Sequence, residues 1–147
     1  MQREIKISFK AILAGCAADV FSTAVLFSVL SYYVMVQKGF KDSSSPEILG
    51  LQISNAIHDS PVLFGIQTAI GLGCSILGGY VAGRVAKQDE VENAIAASLI
   101  FVAFGIYAII AGSTDAIALN VFSTLITPFF YRLGAQVRIR QVAKRSR

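Results

Sequence analysis

Four stretches of this chain are each long and apolar enough to cross a lipid bilayer. Residues 11–36 contain one charge, Asp19; residues 61–83 and 94–112 contain none; residues 116–135 contain only Arg132, near their end. The runs are 26, 23, 19 and 20 residues long, and a helix needs roughly 20 to cross a hydrocarbon core of ~30 Å. Peptide N–H and C=O groups find no water in that core, so each run is predicted to be a helix, which pairs them internally. Composition agrees. The chain is 54% hydrophobic with Gly left out of the count, whereas soluble domains reach about 45–50% with Gly included. The expected fold is an all-α integral membrane protein: one domain over residues 1–147 with four transmembrane helices.

The basic residues give an orientation. Arg3, Lys6 and Lys10 precede the first run, and Arg84 and Lys87 lie between the second and third. Arg132, Arg138, Arg140, Lys144, Arg145 and Arg147 close the chain, which leaves Lys38 and Lys41 on the opposite side. Loops rich in Lys and Arg stay in the cytoplasm, and acidic residues contribute little to that rule. Both termini are therefore expected in the cytoplasm. Tyr32, Tyr33, Tyr80 and Tyr131 fall near span ends, at the depth where amphipathic rings prefer to lie.

The connections differ in kind. Ser113-Thr114-Asp115 is so short that the third and fourth spans should be antiparallel neighbours, with Thr114 or Asp115 as the helix cap. In the link 84–93, basic Arg84 and Lys87 end one helix and acidic Asp89, Glu90 and Glu92 begin the next. Each set suits the dipole it adjoins, a structural reason preferred here to a binding role. The external segment 37–60 starts loop-like at 41–45. Ser45-Pro46-Glu47 then reads as a helix start, followed by Leu49, Ile53 and Ile57 at four-residue spacing. A short amphipathic helix over 46–58 is predicted, lying on the outer surface in preference to capping an opening between the spans.

Leu13-Ala14-Gly15-Cys16 imitates a lipoprotein cleavage box. Cleavage signals need an apolar stretch of about 7–15 residues before the cut, and Lys10 leaves only Ala11, Ile12 and Leu13. Cys16 and Cys74 are expected to be small buried thiols. His58, the only histidine, is expected to be a solvated loop residue; no Cys–His cluster has metal-ligand spacing. The basic tail 136–147 suits anionic lipids, at about 1 kcal/mol per charge. It has no aromatic residue to stack bases, and a nucleic-acid partner is not expected.

Gly71, Ser75, Gly79 and Gly83 recur every four residues in the second span, with Gln67 one step earlier. They line one helix face. Such faces allow close backbone approach in lipid, where little hydrophobic force acts between helices. Packing within the chain is preferred to a homodimer seam. Gly15 and Ala18, or Ala94, Ala97, Gly105 and Ala108, are candidates for the facing surface.

The segment Gly78-Gly79-Tyr80-Val81-Ala82-Gly83-Arg84-Val85-Ala86-Lys87 resembles a G-G-Y-x-A-G-R-x-A-K turn at the end of a span in uncharacterised bacterial four-helix membrane proteins. The resemblance covers these ten residues. It implies a bacterial inner-membrane setting and no particular activity, cofactor or partner.

Asp19 is the one acid inside a span, about 12 Å along the run from Ala11. At the membrane centre an Asp costs on the order of 2.5–3.5 kcal/mol, and such residues usually face the bundle interior. Gly15, Ala18 and Ser22 share its face. Two states stay open: a protonated carboxyl, or a clamp with Arg84 or Arg132. Asn120, Thr124 and Thr127, beside Pro128, either line a polar path or satisfy backbone groups that Pro128 frees.

Three function classes follow. The first is an interaction or assembly component of the inner membrane, with a membrane-protein partner or as a homo-oligomer. The second is a small oligomeric transporter or channel that uses Asp19. Small multidrug-resistance transporters are similar in having four spans and an acid in the first. This chain departs from them in lacking Trp, in its long external loop, and in a charge bias that disfavours dual topology. The third, an enzyme, is not expected: the chain has no Ser–His–Asp set, no metal cluster and no Gly-rich strand–helix loop. The false cleavage box carries a check: mass spectrometry should find the chain unbroken and without lipid at Cys16.

Overall fold

The computed structural model describes residues 6–40, 45–86, 88–111 and 117–145. Among them are five helices and no strands: α1 (Phe9–Lys38), α2 (Pro46–His58), α3 (Pro61–Ala86), α4 (Glu90–Ile110) and α5 (Ile117–Arg145). Three helices are long and apolar enough to cross a membrane, over Phe9–Lys38, Pro61–Ala86 and Glu90–Tyr107. The connection at 113–115 with its caps Thr114 and Asp115, the loop residues 41–44, Lys87, Arg3 and Arg147 lie outside the described residues.

Local chemistry explains the boundaries. The Ser8 hydroxyl accepts from the Ala11 N–H at 3.4 Å and caps α1. α2 begins as the sequence predicts. The Ser45 side chain accepts from the Ile48 N–H, Pro46 opens the first turn, and Glu47 adds an acid where the dipole favours one. α5 continues well past the predicted end of the fourth run, taking most of the tail into the helix. Nothing after Pro128 stops it: residues 135–145 are mostly Ala, Gln, Arg and Lys, good helix formers, with no Pro.

The chain forms two compact units, with α1 and α3 contributing to both. One unit is Phe21–Gly73. Its core is Leu30, Val34 and Ile57, with Phe40, Ile53, Ala56, Leu63 and Ile70 packed against them. The apolar edge expected on α2 faces the chain itself. Its Ile53–Ala56–Ile57 edge is covered by residues of α1 and α3, so it is seated on those helices. Ile48 and Leu51, outside that edge, are exposed. The tight turn at Asp59 and Ser60 explains the seating, because it leaves α2 no slack before α3 begins. His58 is exposed; its Nδ1 lies 2.8 Å from the Ser54 carbonyl of its own helix.

The other unit gathers the described residues up to Val20 and from Cys74 onward. Ala82, Ala94, Ala97, Tyr131 and Ala135 form its core, with Ile12, Cys16, Val91 and Phe101 packed against them. Alanine dominates because the backbones approach closely. A Cβ built on Gly79 would lie 2.6 Å from the Tyr131 Cα, and one on Gly83 would lie 3.4 Å from the Ala135 Cα. Both steps are four residues, so α3 and α5 run parallel here. Gly134 answers from α5: its Cβ would meet the Tyr80 nitrogen at 2.6 Å. The Tyr80 hydroxyl also donates to Gln141 Oε1 at 2.9 Å, which fastens the basic end of α5 to α3.

The four-residue ridge therefore divides. Gly79 and Gly83 touch α5, Ser75 reaches Asp19, and Gly71 has open space where a Cβ would go. Replacing Gly79 by Ala should lower stability in detergent by about 1–3 kcal/mol, since the obstructing atoms are backbone. Gly71→Ala should change it little. Reversible unfolding in mixed micelles measures both.

Candidate functional site

The buried carboxylate is reached through a crossing of α1 and α3 that only glycine allows. A Cβ on Gly15 would lie 2.8 Å from the Ala82 Cβ and 2.9 Å from the Gly78 carbonyl oxygen. A Cβ on Gly78 would meet the Tyr131 hydroxyl at 2.8 Å and the Asp19 Cβ at 3.0 Å. Asp19, one turn beyond Gly15, is thereby pressed against α3 and is 5% exposed. Its Oδ2 accepts from the Tyr131 hydroxyl at 2.8 Å and from the Ser75 hydroxyl at 3.3 Å. One oxygen thus gathers donors from α3 and α5 onto α1.

Tyr131 is fully buried, and the Phe101 ring lies against it with centroids 5.9 Å apart. Its backbone sits on Gly79, so α5 comes close enough for the phenol to reach Asp19. Nearby, the Cys16 thiol lies 3.5 Å from the Ala97 carbonyl oxygen. Cys74 is buried. A single carboxylate with two neutral hydroxyl donors makes a hydrogen-bonded node among three helices. It offers one carboxyl group able to hold a proton, with the Tyr131 phenol and the Cys16 thiol as titratable neighbours.

The other predicted site residues are dispersed. Arg84 and Arg132, the expected clamp partners, are exposed. Arg132 follows Tyr131 directly, and successive helical positions point about 100° apart, so a phenol aimed at Asp19 directs the guanidinium elsewhere. Thr127 donates to the Ser123 carbonyl at 2.8 Å, within its own helix. Thr124 packs over Gly105 of α4. The side chains of Asn120 and Ala108 lie outside the described residues.

Sequence reasoning missed three contributors. Tyr131 read as an interfacial ring, although Gly134 and Ala135 just after it are the small residues that mark a packed face. Gly78 lies off the four-residue ridge and yet contacts the node. Asn93, at the start of α4, is fully buried and grips the chain near its beginning. Its Oδ1 accepts from the Ser8 N–H at 2.6 Å, and its Nδ2 donates to the Lys6 carbonyl at 3.0 Å.

Comparison of the chain with protein-family models, with curated proteins and with solved structures finds no match.

Substitutions should rank by geometry. Intramembrane hydrogen bonds average about 0.6 kcal/mol, with a maximum near 1.7. Tyr131→Phe should therefore cost about 1 kcal/mol, and Asp19→Asn, which keeps an acceptor, less. Gly78→Ala should cost more than either, because it separates the helices as well as the bond. A double-mutant cycle of Asp19→Leu with Tyr131→Phe should show coupling of about 0.5 kcal/mol or more.

Proposed function

We propose that this chain is a four-span protein of a bacterial inner membrane, with both termini in the cytoplasm, working as an interaction or assembly component. The charge distribution supports the orientation: eleven of the thirteen basic residues fall on one side of the four apolar runs. Ile117–Arg145 is a continuous helix over the fourth run, in keeping with a fourth span.

One observation carries the functional reading. The only acid within an apolar run is buried and bonded to hydroxyls of two other helices. That arrangement suits a group that fixes helix register. Large apolar side chains such as Phe21, Val29, Phe104, Ile110, Phe122 and Leu125 face outward, where lipid or a partner's spans would cover them. The basic end of α5 would lie near anionic headgroups.

Two measurements test the reading. A fluorescent protein fused to the C-terminus should fold and fluoresce, as cytoplasmic fusions do. Native mass spectrometry of gently solubilised protein should show a stable membrane-protein partner that survives Asp19→Asn. Proton-driven solute uptake into liposomes, abolished by Asp19→Asn in a correctly folded variant, would replace this reading with the transporter alternative.

A further inference from the structure

The start of α4 contains an unusual turn. Asp89 occupies the cap position with φ 47° and ψ 49°, the left-handed region, and its side chain makes no cap hydrogen bond. An Asp at this position ordinarily has extended backbone and accepts from the second or third helical N–H. Here Asp89 Oδ2 accepts from the Lys6 N–H at 3.0 Å. The departure is local: Asp89 is the only non-glycine described with positive φ. Strain of this kind persists only where the surroundings hold it.

Asn93 does the holding. Its Nδ2 lies 2.9 Å from the Asp89 carbonyl oxygen and 3.3 Å from that of Gln88, the two carbonyls that shape the turn. The same side chain takes the Lys6 carbonyl and the Ser8 N–H. These bonds from Asp89 and Asn93 go to the main chain of Lys6 and Ser8 and hold the segment by its N–H and C=O groups. One buried carboxamide thereby ties the turn and the segment together.

We infer that residues 6–8 form a releasable strap and that Asp89 is the switch that registers its release. With the strap docked, Asp89 is left-handed and its carboxylate serves Lys6. With the strap gone, the turn relaxes to extended backbone and the carboxylate caps α4 at the Val91 and Glu92 amides. A partner that takes the main chain of residues 6–8 competes for the same N–H and C=O groups. Its binding therefore moves the Asp89 turn.

Hydrogen exchange on the full chain in nanodiscs tests this, comparing wild type with Asn93→Leu. The Lys6 and Ser8 amides should be protected in wild type although they precede the helix, and should exchange about tenfold faster in the variant. In the same variant the Val91 and Glu92 amides should exchange roughly fivefold slower, because they gain a cap. Adding Asp89→Ala should abolish that slowing. Lys6→Pro removes the N–H that Asp89 accepts and keeps the carbonyl that Asn93 holds; compared with Lys6→Ala, which controls for the lost charge, it should slow the same two amides should Asn93→Leu fail to fold. Unchanged or faster exchange at Val91 and Glu92 on loss of the strap overturns the switch. So does strap protection that survives Asn93→Leu.

Discussion

The bond between the Tyr131 phenol and the Asp19 carboxylate depends on three helices lying backbone to backbone, and most of the surrounding unit follows from that approach. Glycine at 78 leaves room for both bonded groups, glycine at 15 brings α1 down onto α3, and glycines at 79 and 134 bring α5 alongside. Alanine at 82, 94, 97 and 135 is then the largest aliphatic that fits between. In lipid, apolar side chains gain little by leaving one hydrocarbon for another, so close contact and hydrogen bonds carry helix association. The carboxylate contributes little or no net stability: its insertion costs on the order of 2.5–3.5 kcal/mol, and its hydrogen bonds to Tyr131 and Ser75, at about 0.6–1.7 kcal/mol each, at best offset that. Its contribution is register. Rotating α1 by one residue turns Asp19 by about 100° and breaks both bonds.

The Phe21–Gly73 unit shows a different chemistry in the same chain. Leucine, valine and isoleucine fill its core, and Gly71 faces open space. No close backbone approach is needed there, because α2 supplies side chains that reach across. Two packing regimes thus alternate along α1 and α3, and the change falls where the sequence turns from branched aliphatics to Gly, Ala and Ser.

The helices were legible because long apolar runs leave the backbone no other solution. α2 was legible to the residue, because Ser-Pro-Glu starts a helix by a local mechanism and Asp59-Ser60-Pro61 ends it by another. The seating of α2 was not, since periodicity shows an apolar edge without showing what covers it. The site was half legible. Asp19 stood out as the one acid in an apolar run, but its partner lies 112 residues away in sequence, and charge pairing pointed to arginines. A neutral phenol carries no charge signal, and a tyrosine near a span end resembles many others. Asn93 was hidden by its acidic neighbours, whose dipole explanation was sufficient without it.

Of the three buried polar residues among those described, Asp19 and Asn93 bond across the chain, whereas Ser98 bonds its own helix at the Ile95 carbonyl. The two that reach across fix α1 at separate levels. Asn93 holds the main chain at Ser8, and Tyr131 with Ser75 holds the side chain of Asp19, eleven residues or about 16 Å further along. A rigid helix held at two such points can neither slide nor rotate. The two attachments are not equivalent. The one at Asp19 lies within apolar helices where an unpaired carboxylate has no water to turn to, whereas the Lys6 bond at the other end is exposed and water can replace it. Loosening therefore begins at the strap, and the Asp19 node keeps it from travelling along α1.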